Sequence, residues 1–471
     1  MKKILYFTLV GALFASCSTD LGSLNKNGKA PESVPSSALF ANATMSFFDF
    51  TSNQNVNSNN LKLWTQQWTQ VTYIQESNFE LNERNVNGNT FTTMYTTVLR
   101  DCKEAKAALV NAPATSAEIT AAEACIDVVE VMTYQLLVDL FGDVPYSAAL
   151  SEETNTPVYD DDAEIYESLL MKLDDAVANL NGSSAFGSSD ILYGGDASSW
   201  KKAAYSLMLR MAVRMIDYDA AAAKSWGEKA IAGGVFMSSA DDMRLFYSSA
   251  PPHTHPLWVT LVQSGRTDFV ASSTLADVMN GLSDPRRTGF FKSLGGSDSI
   301  IASLPGDNIS DYYQFSAPGT MMEDPTFTHA AISYVEVEFL MAHAAVAGWA
   351  GAGDAATHYE NGIRASIEEW GGSSADADAY MMHPLVAFSS TTAATQIGVQ
   401  KWIAMYSNSP EAYATIRQYD VPMNVAVVAQ TVTPNRYSYP LSELALNEDN
   451  VLAAASKFNG DDTFAKVFWD M

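Results

Sequence analysis

The sequence predicts an all-α fold of stacked helical hairpins with long irregular loop insertions, and three observations lead there. From Ala38 onward apolar residues recur with the roughly 3.6-residue period of amphipathic helices, while strand-type alternation is rare and short. Helix-stopping and helix-starting residues fall between consecutive periodic stretches, so the helices come in adjacent pairs. Between Gly233 and Ala330 the period is lost, and Pro, Gly, Ser, Asp and aromatic residues cluster instead.

The first residues read as an export signal. Lys2 and Lys3 precede an apolar run from Ile4 to Phe14, and Ala15-Ser16-Cys17 follows. Small residues ahead of a cysteine suit cleavage before a diacylated Cys, which predicts a lipoprotein signal peptide at 1–16 and a membrane anchor at Cys17. Phe14 stands where a Leu is usual in such signals. Residues 17–35, rich in Ser, Asn, Gly and Pro, read as a flexible tether, and 36–471 as a single helical domain. The most apolar later stretch, 331–350, carries Glu336, Glu338 and His343 and reads as a buried helix, so the chain is expected to be anchored rather than spanning.

The hairpins follow in order. Residues 92–110 and 116–141 are separated at Asn111-Ala112-Pro113, where the proline stops one helix and Thr115-Ser116 caps the next. Cys102 and Cys125 lie nearly equidistant from Pro113; an oxidising envelope permits a disulfide between them, the alternative being two buried thiols. Residues 161–180 and 198–218 form a second pair across a Gly/Ser-rich loop, with 220–232 continuing to Gly233-Gly234. Residues 332–349 and 354–370 form the clearest pair, with Asp354 as N-cap and Gly371-Gly372 as stop. Residues 396–406 and 410–419 form a fourth. Such serial hairpins suggest tetratricopeptide-like stacking, although the pairs share little sequence with one another.

Composition narrows the function. With 54 acidic against 27 basic residues the net charge is -27, which repels phosphate backbones and makes nucleic acid an improbable partner. No paired carboxylates, nucleophile elbow, phosphate loop or zinc signature is present, so no enzyme activity and no cofactor are expected. Glu336 and Glu338, two apart on a helix, face differently and make a poor glycosidase pair. His253 and His255 lack a third metal ligand at recognisable spacing, and Asp160 to Asp162 open a helix where acidic residues suit the dipole, so no metal is assigned.

Several stretches together, over nearly the whole chain, carry a resemblance. They are LLVDLFGDVPYSAAL (136–150), TPVYDDDAEIYESLLMKLDDAVANL (156–180), ILYGGDASSWKKAAYSLMLRMAVRM (191–215), DPRRTGFF (284–291), QKWIAMY (400–406) and NRYSYPLSELALNEDN (435–450). To these add SYVEVEFLMAHAAVAGW and HYENGIRASIEEWG between Ser333 and Gly371. In order and spacing the chain resembles the SusD/RagB family of outer-membrane nutrient-binding lipoproteins, and within it the SusD-like branch. The resemblance implies four tetratricopeptide-like helical pairs docked on a TonB-dependent (SusC-like) transporter at the cell exterior, with loops above them holding a glycan. A peptide-binding lipoprotein of the same architecture and, less favoured, a glycoside hydrolase are the alternatives.

Sugar binding needs flat aromatic faces for the C–H side of a pyranose and planar polar groups for its hydroxyls. The aperiodic insertion, about 234–330, supplies His253, His255, Trp258, Arg266, Asp268, Phe291, Tyr312, Tyr313 and Phe315. Phe79 opens an asparagine-rich segment running to Phe91, with Asn82, Asn85, Asn87 and Asn89, where the resemblance places binding residues. Trp64 and Trp68 stand at helical spacing and read as core instead.

Overall fold

The computed structural model describes residues 34–422 and 432–471, and the elements below lie in a unit running from Ser36 to Met471. Cys17, the signal segment and nearly all of the tether fall outside the described residues.

Helix α1 (Ser36–Ser52) is followed by α2, in which Val86–Thr93 and Arg100–Leu109 are joined through a π turn at Met94–Leu99. The turn at Pro113 leads into α3 (Ser116–Phe141), where Thr115 and Glu118 form a capping box: the Glu118 N–H donates to Thr115 Oγ1 at 3.3 Å and the Thr115 N–H to Glu118 Oε2 at 2.8 Å. Aspartates cap the next three helices, Asp161 on α4 (Asp162–Asn179), Asp196 on α5 (Ala197–Arg214) and Asp219 on α6 (Ala220–Gly233). Each such cap satisfies backbone donors that would otherwise be orphaned, worth about 1 kcal/mol. After the insertion come α7 (Ser273–Gly281), α8 (Tyr334–Val346), α9 (Ala355–Glu369) capped by Asp354, α10 (Ser374–Met381), α11 (Ala393–Ala404), α12 (Ser409–Tyr419) and α13 (Glu448–Lys457).

The fold is mainly helical, with tetratricopeptide-like pairs. Among the helix pairs, α8 with α9 and α11 with α12 pack as the sequence predicts, whereas α3 lies chiefly along α4, α5 along α6, and α2 along α1. From α1 to α6, therefore, each helix touches the neighbour on either side, as in a solenoid. Close approach has a local cause at Gly227 on α6, where an added Cβ would run into the Trp349 ring.

A buried ion network ties the pairs together. Arg214 on α5 pairs with Asp139 on α3 and with Glu411 on α12. Arg210 Nε donates to Glu336 Oε1 on α8 at 2.8 Å, and its Nη2 donates to the Ala331 carbonyl at 2.7 Å. Trp469 Nε1 donates to Asp139 Oδ1 at 2.8 Å. Glu338 turns away from this network to His358, 2.6 Å from its Nδ1, so the two glutamates do face differently.

Two sequence expectations are corrected here, and of the two readings left open for the cysteine pair the buried thiols hold. Trp64 and Trp68 do not share a helix: Trp64 ends the short turn Leu61–Trp64 and Trp68 begins a strand, with Gln66 at φ 54 between them. Both are fully buried, because the strand too is covered on all sides. Cys102 and Cys125 are free buried thiols. The two thiols have different surroundings: Cys102 sits near Glu130 and Lys106, Cys125 near Asp190 and Ser184. The insertion, finally, is not without helix: α7, capped by Ser272, lies inside it, too short for its buried Leu275, Ala276 and Met279 to register as a period.

Two short antiparallel sheets complete the fold. β1 (Trp68–Gln70) is the first strand, β2 (Met243–Leu245) the second, β3 (Phe269–Ala271) the third and β4 (His329–Ile332) the fourth. β1 pairs with β3, with Trp68 opposite Ala271 and Gln70 opposite Phe269, and β2 pairs with β4. Among the described residues no helix is long and apolar enough to cross a membrane.

Candidate functional site

Where the β1–β3 pair ends, its two strands diverge and leave an open groove of about 610 Å³. Past β1, the Val71 N–H donates to the Asp268 carbonyl at 3.0 Å, and the Val71 carbonyl accepts from the Ser310 N–H at 2.8 Å. The chain then turns outward through Thr72 and Tyr73, which line one side. Tyr73 sits at φ 58, a left-handed conformation that costs a bulky residue on the order of 1 kcal/mol and is found where a site needs it. The residue is 65% exposed.

Facing it, residues 264–268 of the insertion line the other side, turning at Gly265 with φ 65. Arg266 is held flat against this wall: its Nε donates to Asp268 Oδ1 at 2.9 Å, its Nη2 to Oδ2, and its guanidinium carbon lies 4.7 Å from the Phe269 ring centroid. Two nitrogens of the fork are thus committed to Asp268, leaving Nη1 for a guest. Val259 and Thr260 contribute from the adjoining π turn Val259–Gln263.

The floor comes from the N-terminal part of the chain. Arg84 reaches over the Tyr73 ring, its guanidinium carbon 5.9 Å from the centroid, and its Nε donates to Glu76 Oε1 at 2.5 Å. Glu76 is buried and is held in turn by Gln70, whose Nε2 donates to its Oε2 at 3.3 Å. Burial pushes the Glu76 carboxyl above its ordinary pKa, against the pull of Arg84 and Gln70. Asn55 and Asn57 add amide groups, and Asn89 Nδ2 donates to the Asn57 carbonyl at 2.6 Å and the Arg84 carbonyl at 3.3 Å, fixing the two side by side.

Of the residues singled out in sequence, Arg266 and Asp268 line this groove. Tyr312 is half-buried and close enough to Asp268 for that charge, after burial and the charges of Glu323 and Tyr313, to raise its phenol pKa. Tyr313 is 77% exposed beside it, the two rings meeting edge to face at 5.3 Å. Phe315 and Trp258 are half-buried and do not line the groove.

Phe79, His255 and Phe291 are corrections, each being buried in the core. Phe79 meets Trp64 edge to face at 5.8 Å, and Phe291 meets Tyr406 at 5.6 Å. His255 packs between Tyr247 and Phe327, and its Nδ1 accepts from the Leu257 N–H at 3.1 Å as a helix cap. Burial lowers its pKa to about 3, so it stays neutral. The asparagines after Phe79 mostly hold backbone; Asn87 Nδ2, for instance, donates to the Ser438 carbonyl at 3.0 Å. Asp160 to Asp162 serve as caps and ion-pair partners, with Lys457 Nζ 2.8 Å from Asp143, 2.7 Å from Asp161 and 2.5 Å from Asp162.

Sequence reasoning missed Tyr73, Arg84, Asn55 and Asn57. The available signal was Arg84 alone among asparagines; the left-handed turn that exposes Tyr73 has no sequence mark when the residue is not glycine.

A family model described as starch-binding and associating with the outer membrane matches residues 28–440. No curated protein matches the chain. Among solved structures, a chitin-binding protein is 26% identical, with 93% of this chain and 100% of that one covered at a TM-score of 0.79. A chitin-binding SusD homolog from Flavobacterium johnsoniae is 23% identical over 93% of this chain and 98% of its own, with a TM-score of 0.79. A SusD-like protein from Bacteroides thetaiotaomicron is 23% identical, covers 92% and 98%, and has a TM-score of 0.77. The last two show the fold alone.

Proposed function

Because the chain belongs to the SusD-like family of starch-binding proteins that associate with the outer membrane, we propose that it is a surface lipoprotein that binds a glycan in the groove between Tyr73 and Arg266 and passes it to a TonB-dependent outer-membrane transporter. The observation that carries the reading is the groove's chemistry. An exposed tyrosine ring offers a face for the C–H side of a pyranose, while two guanidinium groups, two amides and several hydroxyls surround it. The chitin-binding neighbour at 26% identity supports a glycan over a peptide. SusD-like proteins are binding proteins rather than enzymes, and the groove agrees: among the described residues Asp268 is the one carboxylate lining it, whereas glycoside hydrolysis uses a pair.

Cys17 is the proposed anchor, and the transporter the proposed recipient. The test is calorimetric titration with starch, chitin and other oligosaccharides against a peptide library. Saturable oligosaccharide binding that Tyr73→Ala weakens supports the reading; peptide binding alone, or release of reducing ends, overturns it.

A further inference from the structure

Taking the groove between Tyr73 and Arg266 as the glycan site, on which this rests, we infer that it selects a glycan containing sugar acids, whose uronate carboxylate is received by Arg84 and Arg266.

Both guanidinium groups are fixed from behind. Arg84 Nε donates to Glu76 Oε1 at 2.5 Å, and the Glu76 side chain, 1% exposed, is held in turn by Gln70 Nε2 at 3.3 Å. Ser77 Oγ braces Gln70 by donating to its Oε1 at 3.0 Å. Gln70 stands opposite Phe269 in the β1–β3 ladder, and the Phe269 ring backs the Arg266 guanidinium, which Asp268 holds through Nε and Nη2. One pair of facing ladder residues therefore supports both arginines, so their geometry is set before a guest arrives.

The edges left over are donors. Arg84 Nη1 and Nη2 and Arg266 Nη1 have no partner among the described residues, and none of the three is buried. The two side chains are 26% and 25% exposed, and both line the groove. A guanidinium nitrogen donates and never accepts. Asp268, the one carboxylate lining the groove among the described residues, already has both oxygens turned to Arg266. Among the charged groups, then, donors outnumber acceptors.

That imbalance separates sugar types. A hydroxyl accepts through its oxygen but brings a proton that needs an acceptor of its own, whereas a carboxylate brings two acceptor oxygens and no proton. The end of Arg84 is a planar pair of nitrogens matched to a planar pair of oxygens, and such charge-assisted bonds are roughly twice as strong as neutral ones. Glu76 and Asp268 offset the two positive charges, so the attraction comes from directed N–H groups at contact rather than from excess charge. The chain's net charge of -27 opposes an anion at long range, but physiological salt screens exposed charges beyond about 8 Å. Tyr73 serves the C–H face of an acidic ring as it would a neutral one.

Calorimetric titration of the full chain tests the selection. Trigalacturonate, trimannuronate and a hyaluronan tetrasaccharide are compared with maltotriose, cellotriose and triacetylchitotriose, and each acid with its methyl ester, which keeps the ring and removes the charge. At least one acid should bind about tenfold more tightly than every neutral sugar, and its ester should lose about tenfold, the loss of a charge-assisted hydrogen bond. Arg84→Met should erase the preference for acid over ester. If that variant does not fold, Arg84→Lys, which keeps the charge without the fork, should reduce the preference, and the ester comparison on the unmodified chain needs no variant. Acids that bind no tighter than the best neutral sugar, an ester as tight as its acid, or a preference untouched at Arg84 overturns the selection. A neutral sugar that binds most tightly and is weakened by Tyr73→Ala overturns the selection alone and leaves the groove a glycan site. Preferred acid binding untouched by both Tyr73→Ala and the Arg84 variant overturns the groove reading as well.

Discussion

Arg84 and Tyr73 meet as a stacked pair, guanidinium over ring at 5.9 Å, on a backbone turn that holds the tyrosine at φ 58. Strain and exposure at one residue imply that removing it should separate stability from binding. Tyr73→Gly relieves the left-handed strain and deletes the ring together, so the melting temperature should hold or rise slightly while oligosaccharide affinity falls by about 1–3 kcal/mol. Paired calorimetry and thermal melts check this; an early melt with affinity intact would place Tyr73 in the packing instead.

The network around Arg214 gives the opposite separation. Arg214 is buried between Asp139 and Glu411, and truncating it leaves two buried carboxylates short of their partner. Arg214→Ala should cost about 3–5 kcal/mol in denaturant unfolding. The same residues replaced together by apolar groups of similar volume should cost much less.

Lys62 gives a pH dependence. It is buried, its Nζ donates to the Tyr406 carbonyl, and its nearest rings are Tyr406 at 4.3 Å and Trp68 at 5.1 Å from the amine. Burial lowers its pKa from 10.5 to about 7. Between those values the unfolded chain binds a proton that the folded chain does not, so this group makes stability rise with pH across the window and fall toward pH 7. Unfolding free energies of the native chain and of Lys62→Met, measured from pH 7 to 9, should differ in slope, with the native slope the more positive. Equal slopes would mean that Lys62 stays charged through the range.

Gly227 tests the helix packing. By intrinsic propensity Gly→Ala in a helix stabilises by about 1 kcal/mol. Here the added methyl meets Trp349, and overpacking typically costs about 1–3 kcal/mol. Gly227→Ala should therefore lower the melting temperature, and Trp349→Leu in the same chain should recover part of the loss.

Anchoring is tested at Cys17. Cys17→Ala should give a folded protein that no longer sediments with membranes, since acyl chains are the proposed attachment. Fractionation followed by immunoblotting reads the outcome directly, and membrane retention of the variant would refute a lipid anchor at this position.

The helices were legible because their signals are local. Pro113, the Thr115–Glu118 box and Asp354 act within a few residues of where they stand, so boundaries came out close to those observed. The ion network was not legible, because Arg210 and Glu336 lie 126 positions apart and nothing in either neighbourhood names the other. The candidate site was read in half. Arg266 and Asp268, which line the groove, stand out in sequence by the irregular stretch that holds them, but lack of helical period is no measure of exposure: His255 and Phe291 stand in the same stretch and are buried. Irregular backbone can be as deeply packed as a helix: Phe290, next to Phe291, stacks on Tyr406 with centroids 3.8 Å apart.

The pairing of β1 with β3 has an engineering consequence. One lip of the groove belongs to a segment near Tyr73 and the other to one near Arg266, joined through the three residue pairs of this ladder and the Val71–Asp268 hydrogen bond beyond it. Transplanting the insertion into a relative would carry across a single lip and leave the recipient's own aromatic platform beneath it. Hybrids made this way should recombine preferences rather than transfer them, and a clean exchange of specificity requires moving both segments at once.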